Sequence, residues 1–210
     1  MKIYLTSSVH AVAHDIAKKE DLTRGNKLVF ITTPAEPEEE GGDDLEWLRN
    51  DRQALVEAGF AVQDYTITGK NKNQIEIDFE SFNYIYMSGG DTSYLLEQSQ
   101  KSGFVTLIKD LIKNKDKVYI GTSAGSIIAG PRLPEYYSRE GYALIDRNCY
   151  GFVNFTIVPH WGSKSFEKEY LEERLKIAYK NTQVPLILLT DNQYIIVQDD
   201  QMQIVDVNLK

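Results

Sequence analysis

Gly-Thr-Ser-Ala-Gly at residues 121–125 has the spacing G-x-S-x-G, which can lift a serine hydroxyl onto a tight strand-to-helix turn. Such a turn forces the serine into a strained backbone conformation, usually with positive φ. The two glycines remove side chains that would collide across it. The hydroxyl of Ser123 would stand above the sheet. The N–H of Ala124 and the positive end of the following helix would face the oxygen of a bound carbonyl. A nucleophile beside an oxyanion donor is the equipment of acyl transfer. Glycine–serine matches also arise in plain tight turns, so the reading depends on partners. Ser126, a turn further into the helix, would not top the elbow, and Ser123 is the candidate.

A serine needs a base, and the chain has three histidines. His10 and His14 are four residues apart and could share a helix face as metal ligands do. No third ligand accompanies them, so they are expected to be a solvated pair. His160 closes "VPHW" at the end of an apolar run, where a strand would carry it to a sheet rim. An orienting acid would fix its tautomer. Asp191, at the end of "PLILLT", is the first choice, with Gln193 and then Asp146 behind it, although Asp191 alone also reads as a turn former. "MSGGD" adds a second oxyanion donor, the N–H of Gly90. A phosphate cradle there is the weaker reading, because the motif lacks the lysine of a P-loop.

The elements that must position these residues alternate. Strands are expected at "KIYLTS", at 26–33, 61–68, 82–90, 117–121, 153–160 and 184–190, from apolar, β-branched or period-two patterning. Helices are expected where Leu45, Leu48, Leu55 and Val56 share a face closed by Gly59, behind the N-cap Asp91, over 104–114, from "SAGSIIAG" onward, and over 167–179. An antiparallel pair (194–197 and 203–207) closes the chain. The acidic run 36–46 reads as a solvated loop. This alternation predicts an α/β fold with a mainly parallel sheet covered on both faces. Its crevice would lie beyond the carboxyl ends of the strands, so the sheet would bring the chemical residues to one rim. Residues 1–210 are expected to form a single domain.

In this order, "YMSGGDTSYLL", "YIGTSAGS", "VPHW" and "LTDNQ" resemble the peptidase E and cyanophycinase-like serine peptidase family over nearly the whole chain. The order Ser…His…acid differs from that of the α/β-hydrolases, where the acid precedes the histidine. The resemblance implies a flavodoxin-like three-layer sandwich akin to class I glutamine amidotransferases, with serine as nucleophile. It implies hydrolysis of peptide bonds in short peptides, often next to aspartyl residues, without metal or cofactor. Ser123 would be the nucleophile, His160 the base, and Gly90 and Ala124 the oxyanion donors. Asp191 stands where relatives usually carry glutamate, one methylene longer. Asp91 replaces the usual asparagine and is expected to place a carboxylate beside the site that repels acidic substrates. The segment "GSKSFEKEYLEERLK" matches poorly the arginine-bearing segment of aspartyl dipeptidases. Arg174 is one counterpart there; Arg132, Arg139 and Lys164 are other cations for a substrate carboxylate. Tyr136, Tyr137, Tyr142, Tyr150 and Phe152 are aromatic candidates for a pocket wall.

Composition narrows the field. The net charge of −8, with no basic stripe, argues against nucleic acid as partner. One cysteine, Cys149, excludes an internal disulfide and a multi-cysteine zinc site, and fits a reducing compartment. No apolar run approaches a membrane span, and "MKIYLTSSVH" lacks a signal-peptide core. The expectation is a cytoplasmic serine peptidase acting on small peptides; a homodimer stays open. Rival readings are an esterase or amidase on the same machinery, a decayed sensor of a peptide or metabolite, and a nucleotide-binding flavodoxin-like protein.

Overall fold

The computed structural model describes residues 1–137, 141–181, 184–199 and 201–209. In chain order the elements are β1 (Lys2–Thr6), α1 (Val9–Lys18), β2 (Lys27–Ile31), α2 (Glu36–Glu40), α3 (Glu46–Glu57), β3 (Ala61–Tyr65), α4 (Lys72–Asp78), β4 (Tyr84–Met87), α5 (Thr92–Lys101), α6 (Phe104–Asn114), β5 (Val118–Thr122), α7 (Ala124–Ile127), β6 (Thr156–Val158), α8 (Glu167–Glu169), a π-helical turn (Tyr170–Arg174), α9 (Leu175–Asn181), β7 (Leu186–Leu188), β8 (Gln193–Gln198) and β9 (Gln201–Asp206).

Seven strands form one sheet in the order β3-β2-β4-β5-β1-β8-β9. The first five run parallel, and β8 and β9 add an antiparallel margin. The central strands are apolar on both sides because both faces are covered. Ile3, Leu5, Val29, Ile31, Ile85 and Met87 face α5 and α6, whose Leu107, Ile108, Leu111 and Ile112 repeat at helical spacing. Tyr4, Leu28, Phe30, Tyr86 and Ile120 face the other way, onto Val9, Val12, Ala13 and Ile16 of α1 and Leu55 of α3. The result is an α/β/α sandwich of flavodoxin-like type, with the carboxyl ends of β1, β4 and β5 side by side.

Three features depart from the sequence expectation. The runs at 153–160 and 184–190 do not join the main sheet. Only three residues of each are extended, and β6 and β7 pair with one another as a separate parallel sheet. The fully buried Ser7, just past β1, ties this small sheet to the large one. Its hydroxyl accepts the N–H of His160 (3.1 Å) and donates to the carbonyl of Leu189 (2.8 Å). The acidic run is not all loop either: Glu36 opens α2 and accepts hydrogen bonds from the hydroxyls of Thr66, Thr68 and Tyr94. Helix α4 was not foreseen, although Asn71 and Gln74 form a capping box at its start.

Candidate active site

Ser123 sits between β5 and α7 with φ 49° and ψ −107°, a region that residues with side chains rarely occupy. Its N–H donates to the Thr6 carbonyl (3.0 Å), and the Gly125 N–H donates to the Ser88 carbonyl (3.2 Å), so the turn is held by β1 and β4. The flanking glycines are required by contact. A Cβ on Gly121 would lie 2.6 Å from the Gly125 carbonyl oxygen, and one on Gly125 would lie 2.3 Å from that of Met87. Among the described residues the Ser123 hydroxyl has no hydrogen-bond partner. Ser126 differs: it is buried, accepts the Thr6 N–H (2.9 Å), and has the carbonyls of Thr6 and Gly121 in reach of its proton. Its hydroxyl clips β1 to β5.

His160 follows β6 and also has positive φ, 59°. Its Nδ1 lies 2.7 Å from Oδ1 of Asp191, and its ring stacks on Phe166 at 4.6 Å with 10° between planes. With Nδ1–H donating to the carboxylate, Nε2 is left as an acceptor. Of the alternatives for the acid, Gln193 accepts the Thr190 N–H and donates to Asp206, which occupies it in the β8–β9 hairpin. Asp146 caps its own loop through the Asn148 N–H.

Ser123, His160 and Asp191 line one cavity of about 380 Å³, together with Gly89, Gly90, Trp47, Tyr137, Phe166 and Tyr170. Gly90 has φ 120°, and a Cβ there would meet the Pro34 carbonyl oxygen at 2.1 Å. Among the described residues neither the Gly90 N–H nor the Ala124 N–H donates to a protein acceptor. Buried backbone donors are rarely left unpaired, so two open N–H groups flanking the serine suit a developing oxyanion. Burial holds the Tyr137 phenol in its neutral form, well above the usual tyrosine range.

The other candidates separate. Asp91 does not line the cavity. It is buried, and its Oδ1 accepts the N–H groups of Ser93 and Tyr94 as the cap of α5, while Oδ2 accepts the Tyr142 hydroxyl. The expected repulsion of acidic substrates therefore lacks its carboxylate. Arg132 lies in an isolated bridge with Asn148, Lys164 lines a different depression, and Arg139 lies outside the described residues. Arg174 does reach the cavity. The π-helical turn brings its guanidinium over the rings of Tyr137 (4.7 Å) and Tyr170 (5.1 Å) and against Glu169. Of the five aromatics, only Tyr137 lines the cavity; Tyr150 and Phe152 pack on Tyr119 in the core.

One lining group went unforeseen. His10, expected to be a solvated partner of His14, borders the cavity with its backbone N–H and Nδ1 on the buried carboxylate of Asp51. That hydrogen bond raises its pKa above the ordinary histidine value, against the opposing effect of burial. The signal was available in α3: Asp51 occupies a core position on the face shared with Leu48 and Leu55.

The model of peptidase family S51 matches residues 6–205 of the chain. An uncharacterized peptidase of Listeria innocua is 24% identical over 204 residues, 95% of this chain and 94% of that protein. The fold is similar to a Listeria monocytogenes EGD-e structure assigned provisionally to peptidase E, with TM-score 0.84 and 23% identity over 98% of both chains. It is also similar to a peptidase from an acI-B1 Actinobacterium, with TM-score 0.72 and 17% identity over 98% of this chain and 87% of the other.

Proposed function

The chain belongs to peptidase family S51 and is a serine peptidase, and from that premise we propose that it cleaves short peptides through a Ser123–His160–Asp191 triad and an acyl-enzyme. Ser123 Oγ attacks the scissile carbonyl while His160 Nε2 takes its proton. The oxyanion rests on the N–H groups of Gly90 and Ala124. His160 then protonates the departing amine, and Asp191 steadies the imidazolium. Water, deprotonated by His160, attacks the acyl carbon; the carboxylic product leaves and Ser123 recovers its proton. Among the described residues no hydrogen bond joins Ser123 to His160; catalytic hydrogen bonds of this kind commonly tighten only in the complex with substrate.

The observation that carries the reading is the 2.7 Å contact between His160 and Asp191, on the wall of the cavity that holds the strained Ser123. The size of the cavity suits a few residues of peptide better than a folded protein. Arg174 supports a preference for an acidic substrate group, tempered by its pairing with Glu169. The lone thiol fits a cytoplasmic setting. The test is a dipeptide panel, run beside p-nitrophenyl esters, with wild type and Ser123→Ala. Turnover of dipeptides lost by about 10⁴–10⁶ in the variant supports the proposal. Turnover of esters alone would move the assignment to an esterase, and no turnover by folded protein would refute it.

A further inference from the structure

A second histidine–carboxylate pair borders the same cavity and takes no part in the proton transfers above. Asp51 is 2% exposed. Its Oδ1 accepts the His10 backbone N–H (3.2 Å) and Nδ1 (3.1 Å), and its Oδ2 accepts the Tyr86 hydroxyl (2.7 Å). A buried carboxylate needs compensating charge. The Tyr86 phenol and the backbone N–H are neutral donors, so of these partners only the His10 imidazolium supplies it. The ring is 47% exposed. With Nδ1 held by Asp51 and by Ser8 Oγ at 2.8 Å, Nε2 has, among the described residues, only a 3.5 Å approach from the same hydroxyl. The cavity's other cationic candidates are engaged: Arg174 with Glu169 and two rings, His160 with Asp191.

We propose that His10, clamped by Asp51, is the residue that recognises a carboxylate group of the substrate. This deepens the peptidase reading and rests on it for the identity of the occupant. Nε2–H donates a charge-assisted hydrogen bond to that carboxylate. Glu38 and Glu169, which also line the cavity, disfavour an anion beside them. Among the described residues the charged groups acting on His10 are Asp51 on α3 and Asp191 after β7, with Tyr86 on β4 hydrogen-bonded to Asp51 and His14 one turn along α1. Recognition therefore weakens as the imidazolium loses its proton. The carboxylate is either the free C-terminus of a short peptide or an acidic side chain.

The test reads binding without turnover, in full-length Ser123→Ala protein with labelled histidines. The probes are N-acetyl-L-aspartate, its α-amide, N-acetyl-L-asparagine, and the diamide. The His10 resonance should move with the carboxylate-bearing probes and not with the diamide, and binding should weaken as the pH rises and the imidazolium loses its proton. The comparison of α-amide and asparagine probes identifies which carboxylate is read. His10→Gln should bind about tenfold more weakly, the worth of a hydrogen bond to a charged group, and His10→Lys should retain affinity. A His10 resonance indifferent to every carboxylate, or a His10→Gln protein that binds them as tightly, overturns the proposal. Fluorophosphonate labelling of unmutated Ser123 separates the two readings. Labelling with an indifferent His10 sinks this inference alone; a responsive His10 without labelling sinks the peptidase mechanism alone.

Discussion

Asp191→Asn tests the orienting acid. The substitution keeps the shape and removes the charge facing His160 Nδ1, now 2.7 Å away. In a fully buried triad the same change costs about 10⁴ in kcat, because the imidazole adopts the wrong tautomer. Here the acid's side chain is 43% exposed, so water can solvate the imidazolium and accept from Nδ1 in its place. The ring also keeps two other restraints, the stack on Phe166 and the backbone bond to Ser7. The expected loss is therefore about 10²–10³ in kcat, equivalent to about 2.7–4.1 kcal/mol of transition-state stabilisation, with KM changed less than about threefold. Asp191→Glu, which restores the charge on a longer arm, should recover most of it. The assay is steady-state cleavage of the best dipeptide, paralleled by the rate of fluorophosphonate labelling, which should fall in the same ratio. Gln193→Ala is the control: it breaks the bonds to Thr190 and Asp206 and should lower the melting temperature while sparing kcat. An Asp191→Asn protein within about threefold of wild type, or a larger kcat loss in Gln193→Ala, would refute the assignment.

Other outcomes follow from single contacts. Gly90→Ala forces a side chain to 2.1 Å from the Pro34 carbonyl at φ 120°; the loop must move, and kcat should fall by about 10²–10³ with a lower melting temperature, whereas near-wild-type turnover would exclude Gly90 as oxyanion donor. Ser7→Ala strands the His160 N–H and the Leu189 carbonyl; it should destabilise by about 1–3 kcal/mol in urea melts and slow labelling of Ser123 by misplacing the base. His10 has its pKa raised by its hydrogen bond to Asp51, so its folded value exceeds its unfolded one. Its contribution to stability is then full below about pH 6.5 and is lost as pH rises through the folded value. Urea midpoints should decline over that window in wild type and lose that component in His10→Gln; identical profiles would contradict the coupling.

How much of this was legible in the sequence depends on the range of each interaction. The Ser123 elbow was readable because its glycines answer a local demand: carbonyl oxygens 2.6 and 2.3 Å from where a Cβ would stand. The parallel core was readable because strands covered on both faces lose polar alternation. The route taken by His160 and Asp191 was not, since β6 and β7 are three residues long and too short to show a period. Asp91 was legible as the cap of α5, but the partner of its other oxygen, Tyr142, 51 residues away, is invisible to local pattern, so the carboxylate was also expected beside the site. His10 looked solvated for the same reason: Asp51 lies 41 residues on. In that case a carboxylate on the apolar stripe of α3 was a usable clue. Helix α4 left a clue too, the Asn71–Gln74 box ahead of Ile75 and Phe79, which are four apart and both buried.

The most direct test of the central claim is the site and rate of fluorophosphonate modification, mapped by peptide mass spectrometry in wild type and His160→Ala. The account predicts one adduct, on Ser123, formed quickly in wild type and slowed by orders of magnitude without the imidazole. An adduct on another residue, none on the folded protein, or an equal rate in His160→Ala would contradict it.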